Sequence, residues 1–263
     1  MTIRVGVLGA GGRMGQAVCQ AVSGASDMAL VAAVDPGFDG IDIGEVGGVE
    51  AGAFTVSGTN DVLVAADVGV VIDFTHIESA RENIAFAAAN GIHTVVGTSG
   101  FTEADHETIA QQLEGANCLL APNFAIGAVL MMRFAALASP YFETAEIIEL
   151  HHDAKIDSPS GTAVSTAEMM AAASSSWADD PTKAETIPGA RGASGPAGIP
   201  IHSVRMRGMV AHQEVLFGTT GQSLTMRHDS YDRSSFMPGV LLGVRKVGDY
   251  PGLTVGLDKY LDL

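Results

Sequence analysis

Two adjacent histidines and a lysine are the residues of this 263-residue sequence best suited to do chemistry. Lys155 follows His151 and His152 by a few positions, and Ser160-Gly161-Thr162 comes shortly afterwards. Histidine exchanges protons near neutral pH, and lysine can bind a carboxylate or donate a proton. The cluster therefore indicates proton transfer to a small substrate that carries two negative charges.

A predicted strand and a predicted helix flank this cluster. Residues 145–150 are β-prone and residues 162–173 favour a helix, so the cluster falls on the connection, where functional groups concentrate. Ser160 is a suitable N-cap, and Gly161 lets a carboxylate approach the first N–H groups of the helix. The alternative is an ordinary solvated loop, which we would favour for a lone histidine but not for the whole cluster.

A glycine-rich turn near the N-terminus joins a strand-like segment, Ile3–Leu8, to a helical segment that runs through Val22. Its glycines at positions 9, 12 and 15 fit G-x-x-G-x-x-G and not the usual G-x-G-x-x-G. Structural turns often mimic such motifs. A strand, a glycine turn and a helix in this order nevertheless favour a dinucleotide-binding fold, with the pyrophosphate at the helix N-terminus.

Asp35 directly follows the second predicted strand, residues 29–34, and lies about 20 residues after the turn. Dinucleotide-binding folds place at this point the acid that binds the ribose hydroxyls. Pro36 follows, so no basic residue there awaits a 2′-phosphate, and Asp35 itself would repel one. Arg13 could offset that repulsion. We therefore expect NADH to be used well and NADPH use to be possible. The alternative is that Asp35 only serves the Pro-Gly turn.

Further predicted strands, residues 68–74, 93–96 and 118–121, alternate with predicted helices, one over residues 78–90 and one after a Thr102-x-x-Asp105 capping box. This alternation predicts a doubly wound parallel sheet, which binds ligands at the carboxyl ends of its strands. Each turn alone is more often structural, but together they predict a cofactor cleft. The residues at these strand ends are Phe74, Gly97, Thr98, Ser99, Ala121, Pro122, Asn123 and Phe124.

The second half of the chain has a different pattern. After a helix predicted over residues 126–138, we expect antiparallel strands over 201–207, 211–217 and 222–230, and a closing helix over 236–247 that packs on the first domain. The expected fold class is α/β, with an N-terminal Rossmann-type doubly wound parallel sheet and a C-terminal α+β substrate and oligomerisation domain. The predicted domains are 1–125 plus 237–263 for dinucleotide binding and 126–236 for substrate binding and oligomerisation.

Two segments are expected to be irregular. Residues 36–60 are Gly-rich and acidic and favour a surface excursion, and residues 174–197 favour a long mobile loop. Gly189-Ala190-Arg191-Gly192 in that loop could form a lid over an anion, although a solvated loop is the default interpretation. A sheet covered by a single helix layer would leave surface for self-association.

Composition limits the class of protein. A hydrophobic content of 47% and a mean hydropathy of +0.26 indicate a folded globular chain. The net charge of −16 argues against nucleic acid as a partner. Cys19 and Cys118 are too few for a disulfide framework and favour a reducing compartment. The apolar run Val62–Phe74 is too short to span a membrane, and no secretion signal is recognisable after Met1. We expect a cytoplasmic protein without a membrane partner.

The sequence resembles the bacterial dihydrodipicolinate reductase family, also called 4-hydroxy-tetrahydrodipicolinate reductase, over essentially its full length. Residues Glu149–Ala163 are similar to the family signature E-x-H-H-x-x-K-x-D-x-P-S-G-T-A without a gap. The segments that resemble the family's cofactor segments, in the same order, are Val7–Gly15, Asp73–Thr75, Gly97–Gly100 and Ala121–Phe124.

The resemblance implies hydride transfer from NADH or NADPH to ring C4 of a cyclic imine dicarboxylate in the diaminopimelate and lysine pathway, by a homotetramer assembled through the substrate-domain sheets. It implies that His151 is the proton donor or acceptor and Lys155 a proton donor. The implied substrate ligands are His152, Ser160, Gly161 and Thr162. The implied cofactor ligands are Gly9, Ala10, Gly11, Gly12, Arg13 and Met14 at the pyrophosphate, Asp35 at the adenosine ribose, Phe74 in its cofactor segment, and Gly97, Thr98, Ser99, Ala121, Pro122, Asn123 and Phe124 at the nicotinamide half.

The implied chemistry agrees with the cluster, because hydride addition to a conjugated imine leaves enamine-like charge that a nearby acid and a fixed cation stabilise. Whether the hydroxylated substrate or its dehydrated form is bound stays open. Many family members carry Glu-Arg where this chain has Asp35-Pro36, which argues against a strong preference for NADPH.

Three other classes of protein share some of these features. A metal hydrolase could use His151, His152 and Asp153, but adjacent histidines point in different directions and lack ligand spacing such as H-E-x-x-H. We therefore expect no metal. A dinucleotide-sensing binding protein would keep the glycine turn but would not need a proton-donor cluster. A dehydrogenase of another aspartate-derived substrate would lack the His-His-Lys and Ser-Gly-Thr signature.

Overall fold

The computed structural model describes residues 2–261, which form eleven strands and eight α-helices. Two compact units divide the chain. Unit 1 comprises Met1–Phe124 and Phe236–Leu263, and unit 2 comprises Ala125–Ser235. The binding functions predicted for the two domains stay predictions.

The strands, in chain order, are β1 (Ile3–Leu8), β2 (Met28–Val34), β3 (Val70–Asp73), β4 (His93–Val96), β5 (Cys118–Leu120), β6 (Thr144–His151), β7 (Ala193–Ser194), β8 (Pro200–Arg205), β9 (Ala211–Thr219), β10 (Gln222–Ser230) and β11 (Leu253–Val255). The α-helices are α1 (Arg13–Ser23), α2 (Ile43–Gly47), α3 (Asp61–Ala65), α4 (Ile77–Ala89), α5 (Glu103–Gln112), α6 (Ile126–Ala138), α7 (Gly161–Ala173) and α8 (Met237–Lys246).

Unit 1 contains a six-stranded sheet with the order β11-β5-β4-β3-β1-β2, and every pairing in it is parallel. The chain begins at β1, moves outward to β2 and then returns to β3 on the other side of β1. In such sheets the crevice for a ligand opens at this change of direction, outside the carboxyl ends of the strands. The predicted Rossmann-type fold is confirmed.

The interior of unit 1 is built from the apolar strand residues and the helices beside them. Buried residues such as Val71, Ala87 and Ile92 form one cluster, and Ile84, Val96 and others form a second. Helix α8 contacts α1, β3 and β4, so the predicted closing helix belongs to this unit. The reciprocal capping box of Thr102 and Asp105 is present at the start of α5.

One expectation for unit 1 was wrong, and one strand was not predicted. Residues 36–60 are not a simple surface excursion, because Ile43, Val46 and Val56 are buried and Ile43–Gly47 forms a short helix. Strand β11 was not predicted. It pairs with β5 through only three residues, too few to give a clear hydrophobic period.

Unit 2 contains a five-stranded mixed sheet with the order β10-β9-β6-β8-β7. Strands β9 and β10 form the predicted antiparallel hairpin, and β9 is antiparallel to β6. Strand β8 runs antiparallel to β9, as predicted, but it does not pair with β9. Instead β6 and β8 pair in parallel. The connection between them contains α7, and a helical crossover returns the chain to start a parallel strand.

Helices α6 and α7 pack together over one face of this sheet, and their buried residues join strand residues such as Ile147 and Val215 in one core. The opposite face carries Ile148, Leu150 and Leu216, which are half-buried. Over residues 2–261 no helix is long and apolar enough to cross a membrane.

Candidate active site

The glycine turn of unit 1 is tightly folded between β1 and α1. Gly9 has a φ of +73°, a conformation that favours glycine. A Cβ placed on Gly15 would lie 2.0 Å from the Gly9 carbonyl oxygen, so only glycine lets the helix start this close to the turn. Gly12 is the N-cap of α1 and provides no side-chain cap, which leaves the helix N-terminus suited to an anion.

A cleft of about 470 Å³ opens beside this turn at the carboxyl ends of β1, β2 and β3. The lining residues include four of the predicted cofactor ligands, Gly9, Gly12, Asp35 and Phe74. Asp35 accepts hydrogen bonds from the amides of Gly11 (2.9 Å) and Gly37 (3.0 Å). Its carboxylate is therefore fixed at the edge of the cleft where the sequence predicts a ribose ligand.

A second cleft in unit 1, of about 440 Å³, is lined by Phe74 together with Gly97, Thr98 and Ser99. The turn after β3 is held by Asp73, whose Oδ1 accepts hydrogen bonds from the amide (2.7 Å) and hydroxyl (2.6 Å) of Thr75. Burial raises the pKa of Asp73, although these hydrogen bonds oppose the change. The Thr98 hydroxyl donates to the Thr75 carbonyl (2.9 Å), which links the two turns.

The other predicted cofactor residues do not line either cleft. Ala10 is buried, Arg13 is exposed and Met14 is half-buried at the start of α1. The segment after β5 is anchored by the Ala121 amide, which donates to the Val96 carbonyl (3.0 Å). Phe124 is buried, and its ring centroid lies 5.8 Å from that of Phe74. Pro122 is exposed and Asn123 half-buried. Their proposed contacts with a cofactor stay predictions.

The histidine cluster lies at the end of β6 in unit 2. His151 is the last residue of that strand. The sequence analysis had placed it on the connection after the strand, and that prediction was wrong. Alternation along a strand places residues 145, 147, 149 and 151 on one face, the face that packs against α7. The strand therefore fixes the backbone of His151, while His152 lies on the exposed loop that follows.

Glu149, the first residue of the signature, was given no role by the sequence reasoning, and neither was Arg205. Glu149 is fully buried, and it binds His151 Nδ1 (2.5 Å), Arg205 (2.8 Å, two bonds) and the Ser160 amide (3.2 Å). Burial favours its neutral form, but hydrogen bonds from Arg205, Ser203 and His151 outweigh burial and hold the pKa of Glu149 below its usual value. The sequence did contain a signal for this role: Glu149 is an ionisable residue on the strand face that alternation predicts to be buried.

Lys155 lies on the loop, with its side chain only 20% exposed. Its ammonium binds both carboxylate oxygens of Asp157, at 2.8 and 2.7 Å, and the ion pair lowers the pKa of Asp157. The Lys155 amide donates to the His152 carbonyl (3.2 Å), which closes a turn between the two residues. The cation is therefore held within the segment that carries both histidines.

The N-terminus of α7 has the predicted cap. The Ser160 hydroxyl accepts a hydrogen bond from the Ala163 amide (3.2 Å), and the helix begins at Gly161. Ser160 is buried by these contacts, whereas Gly161 is exposed and Thr162 is half-buried. A Cβ placed on Gly161 would meet no atom within 4 Å, so the space over the first turn is open. A carboxylate fits at such a helix start.

Arg191, the charged residue of the predicted anion lid, is bound by carboxylates. Its guanidinium binds Glu146 (2.5 and 2.9 Å) and Asp180 (3.0 Å), so its charge is already neutralised within unit 2. The ion pairs favour the default interpretation of an ordinary loop, and the anion lid stays a prediction. As to metals, the described part of the chain brings together no group of three His, Cys, Asp or Glu side chains in a ligand arrangement.

A doubly wound parallel sheet with a glycine turn, and a His–Lys cluster at a helix N-terminus, define a dinucleotide-dependent oxidoreductase. The model of the N-terminus of dihydrodipicolinate reductase matches residues 3–124, and the model of its C-terminus matches residues 127–261. The chain belongs to the dihydrodipicolinate reductase family, as the motifs had indicated.

Individual relatives agree with this assignment. The 4-hydroxy-tetrahydrodipicolinate reductase of Nocardia farcinica is 52% identical over 270 residues, and that of Corynebacterium aurimucosum is 50% identical over 269 residues. Both alignments cover 100% of each chain. A solved dipicolinate-bound dihydrodipicolinate reductase from Paenisporosarcina sp. TG-14 is 42% identical, with a TM-score of 0.86 over 98% of this chain and 99% of that one.

Proposed function

We propose that this chain reduces 4-hydroxy-tetrahydrodipicolinate to tetrahydrodipicolinate with a reduced nicotinamide dinucleotide, and that the 4-hydroxyl group leaves as water. The observation that carries the proposal is the placement of His151 and Lys155 beside the open N-terminus of α7, in a chain that belongs to this reductase family. The similar structure bound to dipicolinate supports a small ring dicarboxylate as the substrate class.

The residues of unit 2 have separate roles in the proposed reaction. The amides of Gly161 and Thr162, with His152, bind a substrate carboxylate at the helix N-terminus, where the helix dipole favours an anion. Lys155 provides the cation that stabilises the negative charge developing on the ring and donates a proton to it. His151 exchanges a proton through Nε2, because its Nδ1 is bound to Glu149.

The protonation state of His151 follows from its surroundings. Burial lowers the pKa of His151 below its usual value, and the charge of Glu149 opposes that effect without cancelling it. The neutral imidazole is therefore favoured at neutral pH, and Nε2 then accepts a proton. As the pH falls below the His151 pKa, the imidazolium forms and Nε2 becomes a donor.

The cofactor cleft of unit 1 fits a dinucleotide, because the uncapped N-terminus of α1 and the Asp35 carboxylate are spaced along one crevice. When bound, the reduced nicotinamide supplies the hydride. We propose that Gly9–Met14 bind its pyrophosphate, Asp35 its ribose, and the turns after β3, β4 and β5 its nicotinamide half. NADH is the preferred form in this proposal, since the residues that line the cleft include Asp35 and Glu82 but no lysine or arginine.

A rate measurement tests the function and the cofactor preference together. The purified protein is mixed with the freshly made condensation product of pyruvate and aspartate semialdehyde, and the absorbance of NADH or NADPH is followed. We expect rapid oxidation, with a higher kcat/KM for NADH than for NADPH. Folded protein that binds NADH but oxidises neither cofactor would contradict the proposed reaction and would favour a sensor or another dehydrogenase.

A substitution at Gly161 tests the substrate subsite separately. Gly161→Ala places a methyl group in open space, so we expect the free energy of unfolding to change by less than about 1 kcal/mol. The methyl group would occupy the space through which the carboxylate approaches the helix N–H groups. Loss of a hydrogen bond to a charged carboxylate costs about 1.5–3 kcal/mol, so KM for the dicarboxylate should rise about 10–100-fold.

Initial-rate kinetics and thermal unfolding check the Gly161 prediction. Gly69→Ala is the matched control, since a Cβ there would lie 3.8 Å from its nearest neighbour, the carbonyl oxygen of Arg4. The control should leave KM unchanged. An unchanged KM in Gly161→Ala as well would remove this helix N-terminus from the substrate site.

We also propose a homotetramer and a cytoplasmic location. The half-buried face of Ile148, Leu150 and Leu216 supports assembly through the sheet of unit 2, and sedimentation velocity measures the mass of the assembly. The two cysteines support a reducing compartment, because both are free and too few to form a disulfide framework.

A further inference from the structure

Glu149 occupies a position where a carboxylate is costly. Its neighbours on the same face of β6, Ala145 and Ile147, are 7% and 0% exposed and belong to the apolar core of unit 2. Glu149 itself is 0% exposed. A buried charge is tolerated only when it is paired and hydrogen-bonded, so its partners should reveal what the residue does.

Both oxygens of Glu149 accept hydrogen bonds, in addition to the one from Ser203. Oε1 accepts from Arg205 (2.8 Å) and from the Ser160 amide (3.2 Å), while Oε2 accepts from Arg205 (2.8 Å) and from His151 Nδ1 (2.5 Å). Arg205 also donates to the Asp157 carbonyl (2.7 Å), so it ties the loop that carries Lys155 to the sheet. The carboxylate therefore connects the end of β6, the end of β8 and the start of α7.

The hydrogen bond to His151 determines which ring nitrogen can react. An ionised carboxylate only accepts hydrogen bonds, so the hydrogen must lie on His151 Nδ1. The lone pair of the neutral ring is then on Nε2. The same contact fixes the rotation of the ring, since the strand holds the backbone and Glu149 holds one edge of the imidazole.

We propose that Glu149 is a positioning residue for the reaction, which orients His151, sets its tautomer and raises its affinity for a proton, while Arg205 keeps Glu149 ionised. The inference rests on the proposed function, in which His151 exchanges a proton with the substrate. Glu149 acts through His151 and need not touch the substrate.

The groups around His151 show which of them favours the protonated imidazole. Burial lowers the pKa of His151; Glu149 raises it, and Lys155 and Arg205 lower it further. Strand β9 presents Ala211 opposite His151 and the uncharged Gln213 opposite Glu149, and α7 contributes the Ser160 amide. Glu149 is therefore the group that favours the imidazolium, and its loss must lower the proton affinity of His151.

The test compares two glutamate substitutions on the same strand. Glu149→Gln removes the charge that faces His151. Glu146→Gln is the matched control, because Glu146 also binds an arginine and a histidine, Arg191 and His202, without contacting His151. Histidine C2–H resonances are followed by NMR against pH, and the His151 signal among the eight histidines is assigned from its loss in His151→Gln.

We expect Glu149→Gln to lower the pKa of His151 by about one unit or more, since a nearby opposite charge shifts a pKa by about 1–3 units. The limb of the kcat/KM pH profile that depends on His151 should move to lower pH by the same amount, and kcat should fall at least tenfold. Glu146→Gln should leave both the His151 titration and this limb in place.

Two outcomes would overturn the inference. One is a His151 titration in Glu149→Gln that matches Glu146→Gln. The other is a loss of activity without movement of the pH limb, which would show a merely structural role. If Glu149→Gln does not fold because Arg205 is left unpaired, Glu149→Gln with Arg205→Met removes both charges, and the pKa of His151 should still fall.

Failure of the inference can be told apart from failure of the proposed function. If the wild-type protein oxidises NADH with the substrate and His151→Gln does not, the function stands whatever Glu149→Gln shows. If the wild-type protein has no activity, the NMR titration still reports whether Glu149 controls His151.

Discussion

Replacement of His151 by glutamine is expected to lower kcat by about 10²–10⁴-fold, the usual contribution of a positioned proton-transfer group. Glutamine keeps a polar side chain at the end of β6 but cannot exchange a proton near neutral pH. The Kd for NADH should change little, since the predicted dinucleotide ligands are all in unit 1. Steady-state kinetics and fluorescence titration with NADH measure the two quantities.

The matched control for this variant is His202→Gln. His202 lies on β8 of the same sheet and also binds a glutamate, with Nε2 2.7 Å from Glu146. It is 30% exposed, against 17% for His151, and has no proposed contact with the substrate. We expect near-normal kcat in the control. If His151→Gln lost its affinity for NADH but kept its turnover per bound cofactor, His151 would belong to the cofactor site and not to the substrate site.

Lys155→Met is the second substitution for which we expect a large effect. Methionine keeps an unbranched side chain of similar length but removes the cation and the ion pair with Asp157. Removing one donor that stabilises developing negative charge typically costs about 10²–10³-fold in kcat. We expect a loss of that size in kcat, with a higher KM for the dicarboxylate and unchanged NADH binding.

Lys183→Met serves as the control for Lys155, because Lys183 is exposed in the segment between α7 and β7. It removes one positive charge from the same unit without touching the loop after β6. If the two variants lost activity equally, the effect of Lys155 would be one of net charge and not of position. Full activity in Lys155→Met would require another proton donor.

The sequence predicted the site best where the chemistry is local. The cap of α7 needs only a serine hydroxyl within reach of an amide three residues later, and the capping box of α5 depends on Thr102 and Asp105 alone. The glycine turn likewise depends on a short segment in which the backbone conformation at Gly9 and the close contact at Gly15 both require glycine. Such features are encoded by neighbours in the chain.

Features that depend on distant partners were predicted poorly. The parallel pairing of β8 with β6 follows the crossover through α7, and β11 pairs with β5, from which the whole of unit 2 separates it in the chain. The Glu149 network was missed for the same reason, since Arg205 lies 56 residues away in sequence. Ile43, Val46 and Val56 are buried by contacts that no local period indicates.

The way unit 1 is assembled affects the order of events on the ribosome. Its sheet is completed by β11, and α8 packs on β3 and β4, but both follow the whole of unit 2 in the chain. Unit 2 is contiguous and has emerged in full while β5 still lacks its outer neighbour. Synthesis of unit 1 therefore begins first, but its fold is completed last. Until then its sheet has an unpaired edge at β5, to which a chaperone could bind.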